Sequence, residues 1–371
     1  MVDFGPFERN FFMNGLVIDL KTGNILKLGE EKLVLRAYFG YNMLTNDQIE
    51  SIYGIPPVFE TFNPINPFTE EYFCCLSFFE CYFPLVFAKM VEFKRKGRNY
   101  LEQKEVKEIL DDGFYAVGVN YNNCNEEIYH PILEFGHYYK SVLQNMKKVL
   151  HEQTNMLNAL KTLKEKEKVL FLVSDSHYEY VGALMDHVYG KEWLSIFDFA
   201  LLHAKKPEFF HAIGKPFREI DLTKVNKKGP QVEKLQRNQM YIEGNAGLLE
   251  QNMRELKGKN TQGDRILYIG DHYSLDILAA KDCENWDTVC VMEELGELDL
   301  GDDYDGRVWG NWQYEETAKG IIPTFWYSEM MKKADKCVPT VDSEEMMEFY
   351  YQEEVSKKER LTPFPGVEIQ P

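Results

Sequence analysis

Residues 266–278 read ILYIGDHYSLDIL. The first five are a short apolar run, long enough for a buried strand and too short for a core helix. Gly270-Asp271-His272 ends that strand with small and polar residues. Leu275 onward, LDILAAK, is helix-like. Two more stretches have the same grammar. KVLFLVSDS (168–176) is an apolar strand, expected to be fully buried, that ends in Ser174-Asp175-Ser176. FDFALLHAKKP (197–207) is a strand running into Lys205-Lys206-Pro207.

Working outward, Tyr178–Tyr189 and Gly244–Leu256 read as helices, and DTVCVMEEL (287–295) reads as a further strand. Residues 211–234 are a basic polar excursion that reads as a hairpin, HAIGKPFREID supplying one arm. Strands alternating with helices predict an α/β fold with a parallel sheet covered on both faces. Ligands of such sheets sit beyond the carboxyl ends of the strands, where the polar signals fall here. Upstream, residues 14–35 alternate apolar runs with turns, Gly23-Asn24 among them, and predict a meander. Residues 46–60 read as a polar connection, 67–96 as one or two buried aromatic helices, and 101–165 as mostly helix interrupted by VNYNNCNEE. Tyr139–Lys168 reads as one basic amphipathic run with Val142, Met146, Val149 and Leu150 on a shared face. Beyond about residue 310, helices are expected, and the tail LTPFPGVEIQP reads as loose.

The chain has 371 residues, a prior of two domains, and can bury a sizeable core unaided. Its formal net charge of −18 disfavours nucleic acid and anionic membrane as partners. An anionic ligand therefore needs local cations. No apolar run approaches a membrane span, and MVDFGPFERNFFMNG lacks the basic start of a signal peptide. Seven cysteines point to a reduced, cytoplasmic setting. Cys74, Cys75 and Cys81 lie among Phe, Tyr and Leu without metal-ligand spacing, and read as buried small apolar residues.

The three strand ends supply a hydroxyl, an ammonium and carboxylates. Ser174 and the loop N–H groups suit phosphate oxygens, Lys206 suits charge developing in phosphoryl transfer, and Asp271 suits a hard cation such as Mg²⁺. Each has a plainer reading. Asp271 is placed to cap the next helix, Ser174 to close a turn, and Lys205-Lys206-Pro207 to form a solvated loop. Their joint occurrence, in order and all at strand ends, favours the site.

The same residues resemble the haloacid dehalogenase (HAD) superfamily, and within it the cytosolic purine 5′-nucleotidase family. FLVSDSHYEYVGALM (171–185) is similar to the second motif, HAKKPEFF (203–210) to the lysine-bearing third, and ILYIGDHYSLDIL to the fourth. NGLVIDLKTGNILKL (14–28) resembles the segment that follows the nucleophile. The resemblance covers about residues 11–300 and implies a HAD-like Rossmannoid parallel sheet with an inserted helical cap. The core would be 1–45 and 151–310, the cap 46–150, and a C-terminal helical extension 311–371. It implies Mg²⁺-dependent hydrolysis of a nucleoside 5′-monophosphate or other phosphomonoester through an aspartyl-phosphate. It also implies self-association into a homo-oligomer. By matched position, Ser174 would bind phosphate, with Asp175 and Ser176 shaping its loop. Lys206 would contact phosphate and nucleophile, Asp271 would ligate Mg²⁺, and Asp276 would orient Lys206 or support the metal. His272 belongs to the wording and carries no assigned step.

The family's first motif, Asp-x-Asp-x-Thr, is expected before residue 14 and does not occur in the sequence. Asp19 lies in the segment that follows it, and DDYDG (302–306) lacks a preceding strand. In the HAD fold this motif ends the central strand, so the strands ending at Ser174 and Asp271 would lose their common neighbour. Unpaired buried backbone groups cost roughly 1–3 kcal/mol each. Either the chain is a piece of a longer protein, or another segment fills the gap, for which MVDFGPFERNFFM is poorly suited because Gly5-Pro6 interrupts it; the rival reading is a catalytically inactive family member that binds a phosphate ligand or a protein partner. No phosphate release from IMP or GMP is expected of the chain as given. His130 stands near where the family carries its purine-reading Arg, which leaves base preference open. Tyr129, Phe135, Tyr138 and Tyr139 either stack on a base or form the core of the cap.

Overall fold

Short strands with tight turns form wherever the sequence alternates apolar runs with Gly, Asn and Asp. The computed structural model describes residues 10–97, 104–120, 137–151, 153–223, 228–258, 264–296, 307–318 and 320–342. Along the chain come β1 (Leu16–Asp19), β2 (Asn24–Leu28), β3 (Val34–Phe39), β4 (Asn42–Met43), α1 (Asn46–Tyr53), β5 (Tyr72–Cys74), α2 (Tyr82–Arg95) and α3 (Val106–Asn120). Next are α4 (Tyr138–Gln144), α5 (Thr154–Glu165), β6 (Phe171–Val173), α6 (Tyr178–Tyr189), β7 (Phe199–Leu202), β8 (Phe217–Ile220), β9 (Lys228–Val232), β10 (Gln239–Glu243) and α7 (Ala246–Lys257). Then follow β11 (Ile266–Gly270), β12 (Trp286–Val291), β13 (Tyr314–Thr317), β14 (Gly320–Pro323), α8 (Phe325–Lys333) and β15 (Lys336–Val338).

The chain divides into two units. The first comprises residues 1–125, 272–274 and 297–333. Its sheet is antiparallel, in the order β4-β3-β2-β1-β5, with Val17 opposite Leu26 and Ile18 opposite Phe73. The meander read from 14–35 is its centre. Asp19 holds the first turn, accepting from the Thr22 hydroxyl at 2.5 Å and from Tyr53 Oη at 2.9 Å. It is 3% exposed, a turn-holding carboxylate. Helix α1 starts in a capping box between Thr45 and Gln48. Helix α2 turns Phe83, Phe87, Ala88 and Val91 into a core with Phe11, Ile18, Phe73 and Trp309. The region 67–96 is thus a strand and then a helix: Tyr72, Phe73 and Cys74 extend along β1. Cys74, Cys75 and Cys81 are fully buried there, and burial pushes the first two thiols up.

The second unit comprises residues 126–271, 275–296 and 334–371. It holds one sheet in the order β6-β7-β10-β8-β9 and another in the order β11-β12-β15. Strands β6, β7 and β10 are parallel, as are β11, β12 and β15. The hairpin read from 211–234 is β8 and β9, antiparallel to each other and to β10. The architecture is therefore mixed α/β, with parallel and antiparallel sheets. Asn245 caps α7 by accepting from the Leu248 N–H at 2.9 Å.

Three local expectations change. Strand β6 is half-buried along its length, because it lies at a sheet edge, whereas β7 beside it is fully buried. The run Tyr139–Lys168 is broken at non-helical Asn145 and again before Thr154. Val149 is exposed and Val142, Met146 and Leu150 are half-buried, so the shared face does not form; Ala159 and Leu160 of α5 carry the burial. Past residue 310 the chain forms the β13–β14 hairpin before α8, then β15 joins β12. His130, Tyr129, Phe135, DDYDG and the tail lie outside the described residues.

Candidate functional site

The loops after β6 and β7 are stitched together by main-chain bonds. Ser174 N donates to Leu201 O at 2.9 Å, extending the β6–β7 ladder by one residue. Ala204 N donates to Ser174 O, and His203 N to Ser176 O, each at 3.1 Å. Within the first loop the Ser174 hydroxyl oxygen accepts from the Ser176 N–H at 3.1 Å. The exposed Asp175 carboxylate accepts from the Lys206 N–H at 2.9 Å. The second loop is held in a demanding backbone: His203 and Lys205 have φ of +47° and +63°, the left-handed region that non-glycine residues seldom adopt.

This backbone delivers the Lys206 ammonium to Asp276. Nζ lies 2.5 Å from Asp276 Oδ1, and Tyr268 Oη donates to the same oxygen at 2.8 Å. Nζ and the phenol oxygen are 3.5 Å apart. Asp276 is 2% exposed and sits on a π-helical turn, Tyr273–Leu278, an irregularity that re-aims side chains at functional sites. Its carboxylate folds against Gly270, where a Cβ would lie 2.5 Å from the Asp276 Cβ. Gly270 ends β11 and Asp271 follows it as an exposed carboxylate.

Burial works to lower the Lys206 ammonium. The charge of Asp276 and its hydrogen bond outweigh that, Asp175 and Asp271 add to it, and the net shift is upward. The Tyr268 phenol is raised well above its ordinary value by burial, then by Asp276, Asp175 and Asp271. All three carboxylates thus act on one lysine, which is cationic throughout the physiological range. Of the residues singled out in the sequence, Lys206 bonds both Asp276, through its ammonium, and Asp175, through its main-chain N–H. Ser174 and Ser176 form the adjoining loop, and Asp271 lies within electrostatic reach.

Tyr268, His177 and His203 were not singled out in the sequence. Tyr268 faces the site from the middle of β11, and only its place two residues before Gly270 marks it. The His177 and His203 rings stack at 4.7 Å and 21° beside the Ser176 loop. Burial, then His203, lowers His177 to about 4; burial, then Lys205, lowers His203. Tyr139 packs its ring on Tyr180 at 4.5 Å and against Tyr138 at 5.4 Å. In the first unit, His272 Nε2 lies 3.5 Å from Glu80 Oε1.

Among the described residues no three His, Cys, Asp or Glu side chains are grouped to cage a cation. An exposed carboxylate at a strand end suits instead an ion that keeps several waters and shares a phosphate, the habit of Mg²⁺.

A mixed α/β scaffold presenting hydroxyl, ammonium and carboxylate at parallel strand ends has the donor set of a phosphate site. The sequence profile of the 5′ nucleotidase family matches residues 3–302, and the chain belongs to that family. It is similar to 5′-nucleotidase domain-containing protein 1 of Homo sapiens, 28% identical over 307 residues, 80% of this chain and 63% of that protein. The Bos taurus protein of the same name is 26% identical over 303 residues, 78% of this chain and 62% of that one. 5′-Nucleotidase domain-containing protein 2 of Homo sapiens is 29% identical over 157 residues, 42% of this chain and 29% of that one. The chain thus spans under two thirds of the length of the relatives it matches. No helix among the described residues is long and apolar enough to cross a membrane.

Proposed function

We propose that the second unit carries the phosphate-binding half of a 5′-nucleotidase-type phosphohydrolase site in a HAD-like fold, with residues 46–150 as its cap. The ligand is a nucleoside 5′-monophosphate or another phosphomonoester. The observation that carries this reading is the convergence of the Ser174 and Lys205-Lys206 loops with Asp276 and Asp271 around one ammonium. Ser174 and the N–H groups of its loop hold phosphate oxygens. Lys206, locked by Asp276 and Tyr268, presents a fixed positive charge to the same group. Asp271 would hold Mg²⁺, which would supply positive charge to neutralise the phosphate. On this reading none of the described residues fills the role of the family's nucleophile. The chain by itself therefore binds a phosphomonoester and does not turn it over. Six free cysteines among the described residues support a reducing, cytoplasmic setting.

The test is calorimetric titration of the full chain with inorganic phosphate in the presence of Mg²⁺. Binding is expected in the wild type and at least about tenfold weaker in Asp271→Asn, with the circular dichroism unchanged. Equal binding by the two removes Asp271 from the site. In parallel, no phosphate is released from IMP or GMP at any Mg²⁺ concentration; sustained release would show that a nucleophile has been overlooked.

A further inference from the structure

The parallel strands β6, β7 and β10 end side by side. The site already described uses the first two of these ends and leaves the third unassigned. The ladder sets Ile242 opposite Leu202, so Glu243 and His203 leave the sheet together. His203 N donates to Ser176 O at 3.1 Å, which joins the third strand end to the Ser174–Ser176 loop by way of β7. Helix α6 covers this face of the sheet: Val181 packs with Leu202 and Ile242, and Ile220 of β8 joins them. His177, at the start of α6, stacks on His203. Adjoining strands lie ~4.8 Å apart, so the loop after β6 and the end of β10 are separated by about 10 Å.

The third end is built around one buried carboxylate. Glu243 is 8% exposed and has a φ of +62°, in the left-handed region. Lys228 Nζ lies 2.6 Å from its Oε1, and Arg218 Nε lies 3.2 Å from its Oε2. Burial works to raise Glu243. The Lys228 bond and the charges of Lys228, Lys215 and Arg218 outweigh that, and the net shift is downward. Lys215 is shared with Glu208, 3.1 Å away, so the cationic surplus belongs to Arg218 and Lys228. The same field reaches His203: Lys205 and Lys228 join burial in lowering it, against Glu243 and Asp175. A second bond, from Nη1 to Gly229 O at 3.2 Å, fixes the Arg218 guanidinium. Among the described residues no acceptor meets its Nη2. A half-buried guanidinium held on one edge by a carboxylate, with a nitrogen still open, is suited to receive a phosphate.

We propose that Arg218 and Lys228, braced by Glu243, form a second phosphate subsite, and that the ligand is a phosphomonoester carrying a further phosphate about 10 Å from the first. This inference rests on the phosphate reading of the Ser174–Lys206 locus and extends it to the class of substrate. The first phosphate sits at the Ser174 loop, and the second reaches past His203 to the guanidinium. It bonds Nη2 and leaves the Glu243 pair intact. Two cations beside it suit the dianion of a phosphomonoester, and in a chain of formal charge −18 such a surplus is a local exception. An uncharged substituent in the same place would strip water from the guanidinium without replacing its bonds, so the subsite disfavours it.

The experiment titrates the full chain, in the presence of Mg²⁺, with two probes. One is hexyl phosphate; the other is hexanediol bisphosphate, whose flexible chain carries a phosphate at each end. The bisphosphate should bind at least about tenfold more tightly than the monophosphate, because its second contact is made within one complex. Arg218→Gln and, independently, Lys228→Gln should bring the bisphosphate to within about threefold of hexyl phosphate. In both variants the affinity for hexyl phosphate and the circular dichroism should match the wild type. Equal affinity of the wild type for the two probes would overturn the second subsite and leave the phosphate reading standing. A gain that persists undiminished in both variants would place the second phosphate elsewhere and overturn it as well. Failure of either probe to bind would overturn the phosphate reading, and this extension with it.

Discussion

At the scale of single residues, one carboxylate organises the site. Asp276 is buried and shares one oxygen between the Lys206 ammonium and the Tyr268 hydroxyl. Removing its charge leaves a buried ammonium without its counter-ion, a loss of about 3 kcal/mol or more. Asp276→Asn should lower the stability from urea unfolding by that order, and a change below about 1 kcal/mol would mean that water already compensates Lys206. Gly270 is the second control point. A methyl group there meets Asp276 at 2.5 Å, and the π-helical turn must move to admit it. Gly270→Ala should cost roughly 1–3 kcal/mol in stability and weaken phosphate binding along with it. Full affinity with intact stability would show that the position of Asp276 is not critical.

At the scale of elements, the start of helix α6 carries a pH dependence. The His177 ring is stacked on His203, with Lys205, Lys228, Glu243 and Asp175 contributing to the local field. Its value falls from 6.5 to about 4, so between those limits the unfolded chain binds a proton that the folded chain excludes. Stability from this residue is complete above about pH 6.5 and is lost as pH falls toward 4. The melting temperature of the wild type should drop more steeply over that window than that of His177→Gln. Parallel curves would contradict the assignment.

Elements are also where the sequence was most and least legible. The strands ending at Ser174, Leu202 and Gly270 could be read because apolar runs closed by small polar residues have few other uses. The 14–35 meander could be read because Gly23-Asn24 punctuates it. The strand Tyr72–Cys74 could not, since three apolar residues among aromatics look the same in a helix or a sheet. The break at Asn145 was equally invisible, because a basic amphipathic period continues across it. The lysine and carboxylates of the site were legible as polar residues at strand ends. Tyr268, the His177–His203 stack and the crowding at Gly270 were not, because they arise from contacts between elements far apart in sequence.

At the scale of the whole molecule, the chain belongs to the 5′ nucleotidase family, and its second unit gathers polar groups at one end of its parallel strands. There Asp276 fixes the Lys206 ammonium, and the proposed phosphate chemistry rests on that pair. The chain's −18 formal charge makes the Lys206 locus the more important for an anionic ligand. The most direct test is a crystal structure of the full chain grown with Mg²⁺ and inorganic phosphate. The account predicts phosphate within about 3 Å of Ser174 Oγ and Lys206 Nζ, with the cation between it and Asp271. Phosphate bound elsewhere, with no anion beside Ser174 and Lys206, would contradict it.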